Sequence, residues 1–398
     1  MEQNTSLRRY DLDWLRVLVI LNLVPFHAAW MMLYVEGFSQ FNKNTILAKI
    51  LSLYVEQIAP LHMPLLFLIS GYCAAVSLQK RSIRDYVKER LQRLLVPFLS
   101  FMLVLAPIQA YFLPTYQGYR SLTDYWLNFC PYFFATIHNG STSVGPKWGH
   151  LWFIAYLLVI NGITLPLFAF LKNPRFQQHF RGVTELFSSR FGIFLPMLVF
   201  GGILATLGAV WPFWKGLNLY KDWAYFSYNL WAFVLGYMMH SDERIGDAVY
   251  QRPWLWTILA AFSIAMRVGV LMFFPNAYEA NAYGYEQYLL FSALCGVHTW
   301  SSIAAILAFA HRFLTESNEF LTYMSQAGFP YYILHLLFMS ILGRYITQIG
   351  LGGIAEFTTT IVLTFAITIF TYELLIRLWF IPNLLLGIKA QCNRADRT

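Results

Sequence analysis

The chain has 398 residues, of which 58% are hydrophobic, 18% aromatic and only 12% charged. This composition excludes an ordinary soluble globular protein and is rich enough in apolar residues for many membrane spans. The net charge of +8 does not indicate a nucleic-acid partner, because basic residues of membrane proteins concentrate in cytoplasmic loops. The cysteines lack the spacing of a metal site or a disulfide framework, so we expect no metal. They are Cys73, Cys130, Cys295 and Cys392.

Ten apolar segments are long enough to cross a bilayer, since a span needs roughly 20 residues for a ~30 Å hydrocarbon core. They lie near residues 13–33, 50–78, 94–115, 150–171, 191–211, 223–240, 254–275, 288–310, 325–346 and 355–379. The first segment is long enough to span and is expected to be retained rather than cleaved as a signal peptide. We therefore predict an all-α polytopic membrane protein that forms one domain over residues 1–398.

Basic residues are distributed unequally between the predicted loops. Residues 79–93 contain six Lys or Arg and residues 172–190 contain four, and the basic N- and C-terminal tails fall on the same side. Because cytoplasmic loops are enriched in Lys and Arg, this side and both termini are predicted to be cytoplasmic. The longest loop on the opposite side, residues 116–149, mixes aromatic residues with Gly, Ser and Asn. It is either an interfacial aromatic belt or a platform for carbohydrate.

The first span carries polar residues along one face. Arg16 and His27 are eleven residues apart, close to three helical turns, which places them on one face about 16 Å apart along the axis. Asp13 lies one turn before Arg16 on the same face. A charged residue in a span costs at least ~2.5–3.5 kcal/mol on insertion scales, so this face should point away from lipid.

Two further motifs lie inside the second span and at the start of the third. Ser70 and Gly71 lie inside the second span, where small residues commonly mark close helix contacts. Arg90 and Arg93 lie one turn apart at the cytoplasmic start of the third span. They are either solvated loop charges or a clamp for an anion, since two guanidinium groups on one helix face suit phosphate.

Several other polar residues lie where a lipid environment disfavours them. His150 and Trp152 begin the fourth span, and interfacial anchoring explains the Trp better than the His. His335 lies about ten residues into the ninth span and is either a functional group or a hydrogen-bonded core histidine. The remaining candidates, whose partners the sequence does not assign, are Glu56, His62 and Arg267.

On the predicted topology these residues separate by depth. The arginines Arg16, Arg90 and Arg93 fall in the inner half of the membrane, whereas the imidazole of His27 falls in the outer half. The arrangement suits a reaction between a charged donor from the cytoplasm and an acceptor outside. A transporter or glycan flippase is the main alternative, because embedded charges and proline-broken helices are also typical of transporters.

The chain resembles the integral-membrane acyltransferase 3 family over nearly its whole length. The matching motifs are Arg16-x10-His27, Phe67-x-x-Ser70-Gly71, Arg90-x-x-Arg93 and His150-Leu-Trp-Phe153. The runs "RRYDLDWLRVLVILNLVPFHAAW", "MPLLFLISGY" and "FIPNLLLGIK" are most similar to the branch that adds succinyl groups to osmoregulated periplasmic glucans.

The resemblance implies an acyl-coenzyme A co-substrate, either succinyl-CoA or acetyl-CoA. It implies His27 as the general base, with a covalent acyl-histidine as the alternative. The assigned groups are His27, Arg16 and Asp13 for catalysis; Arg90, Arg93, Phe67, Ser70 and Gly71 for the donor; and Glu56, His62, His150, Trp152 and His335 for the acceptor or as support. The implied acceptor is a periplasmic glucan or another envelope glycan at the bacterial inner membrane. The expected surroundings are membrane lipids, and a homodimer is left open.

Overall fold

A computed structural model describes residues 8–35, 37–39, 42–112, 123, 135–138, 141–144, 148–171, 174–212, 217–219, 221–282 and 284–376. These residues are overwhelmingly helical, which confirms the predicted all-α class. One antiparallel hairpin was not predicted: β1 (Ala135–His138) pairs with β2 (Ser141–Val144), from Ala135 opposite Val144 to His138 opposite Ser141. It belongs to the predicted 116–149 loop, most of which lies outside the described residues, as does the C-terminal tail from residue 377.

The helices follow the apolar segments of the sequence. They are α1 (Tyr10–Tyr34), α2 (Ile46–Lys80), α3 (Ile83–Arg90), α4 (Val96–Ser100), α5 (Ala106–Phe112), α6 (Trp152–Leu171), α7 (Pro174–Ser188), α8 (Leu195–Ile203), α9 (Trp223–Ser241), α10 (Glu243–Tyr250), α11 (Pro253–Phe273), α12 (Tyr285–Phe313), α13 (Glu319–Ile349) and α14 (Gly353–Thr371). π-Helical turns are Leu91–Leu95, Phe101–Leu105, Leu204–Gly208 and Tyr372–Ile376, and 3-10 turns are Gly149–Leu151 and Gly192–Phe194.

Among the described residues, seven helices are long and apolar enough to cross a membrane, or eight if one bent pair forms a single span. The bent pair joins Phe176–Ser188 to Gly192–Gly208 at 87°. The multi-pass character is therefore confirmed, whereas the count of ten and the cytoplasmic termini stay predictions. The predicted third span, 94–115, is not among these helices, because π-helical turns divide its described part into short α-helices.

The chain forms two compact units, and the predicted single domain stays a prediction. The first unit comprises Met1–Val19, Gln57–Ile83 and Val159–Thr322. Within it, α2 and α9 pack with almost no space between their backbones. A Cβ on Gly71 would lie 1.9 Å from the carbonyl oxygen of Phe233, and a Cβ on Gly236 would lie 1.8 Å from that of Leu68. Glycine at both positions allows this close approach.

The main-chain carbonyl of Pro60, which loses its helical partner to a proline, accepts a hydrogen bond from a side chain of the first unit. Pro64 lies within α2 and lacks the N–H that would bond to the Pro60 carbonyl one turn earlier. The hydroxyl of Thr299 donates to that carbonyl oxygen at 3.2 Å, and Tyr228 donates to Thr299 at 2.6 Å. Polar side chains in a spanning bundle therefore complete the hydrogen bonding that the proline interrupts.

The first unit also contains a buried cation. Arg267 on α11 is only 4% exposed and donates to the side-chain oxygen of Gln57 at 2.8 Å. The Nε2 atom of His298 lies 3.0 Å from the main-chain oxygen of Gln57. The structure thus gives Arg267 the partner that the sequence left unassigned.

The second unit comprises Ile20–Glu56, Arg84–Leu158 and Tyr323–Thr398. Phe38 packs directly on Gly343 of α13, where a Cβ would lie 2.0 Å from the phenyl ring. The buried face of α14 is polar and is made of Glu356, Thr360, Thr364 and Thr368. This unit contains the histidines described next.

Candidate active site

Three histidines distant in the sequence meet within the second unit. His27 comes from α1, His335 from α13, and His150 from the 3-10 turn that precedes α6. The Nε2 atom of His335 lies 3.2 Å from Nδ1 of His27. The rings of His150 and His335 meet edge to face, with their centroids 5.4 Å apart. The structure therefore brings together one predicted catalytic residue and two predicted supporting residues.

The hydrogen bonds of His335 indicate its tautomer. Its Nδ1 atom lies 3.1 Å from the carbonyl oxygen of Tyr331 and 2.8 Å from that of Tyr332. A carbonyl oxygen can only accept, so we infer that Nδ1 of His335 carries the proton. In a neutral ring Nε2 then carries the lone pair, and this is the atom that faces His27.

The tautomer of His27 follows from that of His335. Its Nδ1 atom lies between two acceptors, the carbonyl oxygen of Leu23 at 3.0 Å and Nε2 of His335 at 3.2 Å. Nδ1 of His27 is therefore the donor, and the lone pair of a neutral His27 lies on Nε2. A histidine whose Nδ1–H is held by a neighbour while Nε2 takes a proton is the arrangement of a general base in acyl transfer. Here the orienting group is a second histidine instead of a carboxylate.

His150 is held by the backbone of α13. Its Nε2 atom lies 3.1 Å from the carbonyl oxygen of Ile333, and its own carbonyl accepts the hydroxyl of Tyr332 at 2.5 Å. Trp152, two residues later, is buried and packs edge to face with Tyr156, with their ring centroids 5.1 Å apart. Glu56, also in this unit, is half-buried.

The two predicted donor-site arginines differ in their surroundings. The guanidinium of Arg90 lies over the ring of Tyr86 at 5.0 Å, and its Nε atom is buried without a hydrogen-bond partner among the described residues. Arg93 lies in the π-helical turn, is 45% exposed, and forms an ion pair with Glu89 at 3.2 Å. Arg90 is thus the better placed of the two to donate to an anion, and the phosphate clamp stays a prediction.

The other predicted residues lie in the first unit. Asp13 forms ion pairs with Arg8 at 2.8 Å and Arg16 at 2.9 Å, so its single carboxylate is shared between two guanidinium groups. His62 is 5% exposed and its Nδ1 lies 2.8 Å from the carbonyl oxygen of Ile58 in the same helix.

The residues of the second-span motif also lie in the first unit. Phe67 is fully buried, Ser70 is half-buried, and Gly71 packs against α9. Among the described residues, no group of three or more His, Cys, Asp or Glu could hold a metal ion.

Two tyrosines of the second unit were missed by the sequence reasoning. Tyr332 anchors the carbonyl of His150, and Tyr86 supports the guanidinium of Arg90. Their positions three residues before His335 and four before Arg90 were the available signal, since such spacings share a helix face.

Comparison with known proteins gives a family match over most of the chain. A family model described as "Acyltransferase domain" matches residues 9–373. Glucans biosynthesis protein C of Salmonella typhimurium (strain LT2) is 21% identical over 397 residues, which cover 98% of this chain and 97% of that protein. The protein of the same name from Salmonella paratyphi B is 22% identical over 387 residues, covering 96% and 95%. No solved structure gives a significant match.

Proposed function

The chain belongs to the acyltransferase family whose model matches residues 9–373, and from this premise we propose that it moves an acyl group from cytoplasmic acyl-coenzyme A to a glycan hydroxyl. That it is a multi-pass membrane acyltransferase follows from the family and from its apolar helices. The glycan is a periplasmic glucan or another envelope glycan, a proposal supported by the names of the relatives. The acyl group is succinyl or acetyl, and the membrane is the bacterial inner membrane.

The observation that supports this mechanism most directly is the contact between His27 and His335. In the proposed reaction, Nε2 of His27 takes the proton of the acceptor hydroxyl while the oxygen attacks the thioester carbonyl. A carbon–oxygen bond forms, the carbon–sulfur bond then breaks, and coenzyme A leaves as a thiolate that recovers the proton. While His27 is cationic, His335 accepts a charge-assisted hydrogen bond from its Nδ1–H.

Arg90 is proposed to bind a phosphate of the donor. A guanidinium supported by an aromatic ring and retaining a buried donor suits a phosphate oxygen. Arg93 is proposed to contribute less, because Glu89 already shares its charge. The donor-binding roles of Phe67, Ser70 and Gly71, and the catalytic roles of Arg16 and Asp13, stay predictions of the sequence.

The test is reconstitution of the reaction. Purified protein is incubated with succinyl-CoA or acetyl-CoA and with periplasmic glucans, and the products are identified by mass. We expect acylated glucan and release of coenzyme A thiol that depends on the acceptor. Absence of any acylated product with either donor, across envelope glycans and with intact protein, would overturn the proposal.

We also propose ten spans with both termini in the cytoplasm, supported by the Lys and Arg asymmetry of the loops. Single cysteines at the exposed positions Arg84 and Asn276, in a cysteine-free background, test the orientation. A membrane-impermeant thiol reagent should label Asn276→Cys in intact cells and Arg84→Cys only after lysis. Labelling of Arg84→Cys but not of Asn276→Cys in intact cells would contradict the proposed orientation.

A further inference from the structure

His150 is a buried side chain held in one orientation. It is 6% exposed, and its Nε2 atom lies 3.1 Å from the carbonyl oxygen of Ile333. The rings of Phe101 and His335 meet it edge to face, with centroid distances of 5.1 Å and 5.4 Å. Tyr332, on the same helix α13 as Ile333 and His335, donates its hydroxyl to the main-chain carbonyl of His150. Such packing leaves the imidazole little freedom to choose another partner.

The two ring nitrogens of His150 are in different situations. The carbonyl of Ile333 can only accept, so Nε2 carries the proton, and in the neutral ring Nδ1 carries the lone pair. Nδ1 is buried and has no hydrogen-bond partner among the residues that the structure describes. Buried acceptors are rarely left without a donor, and an exception calls for a missing group.

The chemistry of Nδ1 limits what that group is. A lone-pair acceptor binds an O–H or N–H and does not bind the oxygen atoms of a phosphate or carboxylate. The ring of His150 touches that of His335, which in turn contacts the proposed base His27. The unpartnered atom therefore belongs to the cluster where the acyl group would be transferred.

We propose that Nδ1 of His150 accepts a hydrogen bond from the substrate and makes His150 a substrate-binding residue; this inference rests on the proposed acyl transfer. The donor is either a second hydroxyl of the glycan or an amide N–H of the pantetheine arm. Both sources present the same chemistry to the imidazole. Binding this group fixes the distance between the reacting hydroxyl and the thioester.

Two substitutions at this position separate binding from structure. His150→Gln places an amide N–H near the position of Nε2, so it keeps the bond to Ile333 and removes the acceptor at Nδ1. His150→Asn places an amide oxygen near the position of Nδ1, so it keeps the acceptor and loses the bond to Ile333. If His150 is only structural, the Gln variant should retain substrate binding better than the Asn variant. If His150 binds substrate, the Asn variant should retain it better.

The measurements are thermal stability and steady-state kinetics with each substrate varied in turn. We expect His150→Gln to keep its melting temperature and to raise one KM about tenfold, the effect of losing a single hydrogen bond. A rise in the KM of the glycan identifies the hydroxyl, and a rise in the KM of acyl-CoA identifies the pantetheine amide. His150→Asn should melt earlier and keep both KM values near those of the wild type.

The inference is overturned if His150→Gln has wild-type KM values for both substrates. A second readout keeps it separate from the proposed reaction: stabilisation of the protein against heat by coenzyme A or by glucan, without turnover. If the wild type transfers no acyl group, the proposed function fails. The role of His150 still stands if either ligand stabilises the wild type and not His150→Gln, and it falls if both proteins respond alike.

Discussion

Replacing His335 tests whether it orients the proposed base. In His335→Asn the side-chain amide lies near the position of Nδ1 and can still donate to the carbonyl oxygens of Tyr331 and Tyr332. No acceptor then remains near the position of Nε2, which lies 3.2 Å from Nδ1 of His27. The fold should survive, and the Leu23 carbonyl remains as an acceptor for Nδ1–H of His27, so the variant removes the hydrogen bond to His335 alone.

The magnitude follows from the character of the lost hydrogen bond. Between neutral imidazoles such a bond contributes about 0.5–1.5 kcal/mol, and once His27 takes the proton it becomes charge-assisted, worth about 1.5–3 kcal/mol. The variant loses the bond in both states, so kcat falls by the difference of about 1–1.5 kcal/mol. At about 1.36 kcal/mol per tenfold change in rate, this lowers kcat about 5- to 13-fold. The KM of either substrate should change little, because the bond matters most in the transition state.

The assay compares His335→Asn with His335→Gln in acyl transfer at saturating substrates. His335→Gln places an amide oxygen near the position of Nε2, where it can accept from Nδ1–H of His27. It should therefore retain more kcat than His335→Asn, although it loses the bonds to the two tyrosine carbonyls. Equal kcat values for the two variants, with both proteins folded, would refute the orienting role.

Two other predictions concern the donor and the packing of α2. Arg90→Gln should weaken acyl-CoA binding by about 1.5–3 kcal/mol, measured by titration calorimetry, whereas Arg93→Gln should have a smaller effect because Arg93 is exposed and paired. Equal effects would contradict the distinction between the two arginines. Gly71→Ala should destabilise the protein by about 1–3 kcal/mol, since its Cβ would meet the α9 backbone, whereas Gly162→Ala, with open space at its Cβ, should not. Equal thermal stability of the two alanine variants would remove the packing explanation.

The lengths and composition of the apolar segments predicted the helices well. The predicted segments 150–171 and 254–275 correspond closely to Gly149–Leu171 and Pro253–Phe273, because helix formation in lipid depends mainly on a continuous apolar run. The sequence did not reveal the 87° bend after Ser188 or the π-helical turns after Arg90. Both are local departures from a regular helix and leave the overall hydropathy unchanged.

The candidate site was predictable in its members and not in its contacts. An embedded histidine is costly enough to stand out in the sequence, which is why His27 and His335 were candidates. Their contact joins α1 to α13, and no periodicity relates residues so distant in the chain. For Gly71, the sequence was compatible with both donor binding and close helix packing. The close approach of Gly71 to the Phe233 carbonyl is what close helix packing requires.

The most direct test of the account is the acyl-transfer rate of His27→Gln in proteoliposomes with acyl-CoA and periplasmic glucan. Glutamine can hydrogen-bond to its neighbours but does not act as a base near neutral pH, so it separates a catalytic role from a structural one. We predict a folded, donor-binding protein whose rate of glucan acylation falls by about 10²–10⁴-fold, as is typical when a general base is lost. A folded His27→Gln variant that acylates glucan at near the wild-type rate would contradict the role of His27 as general base.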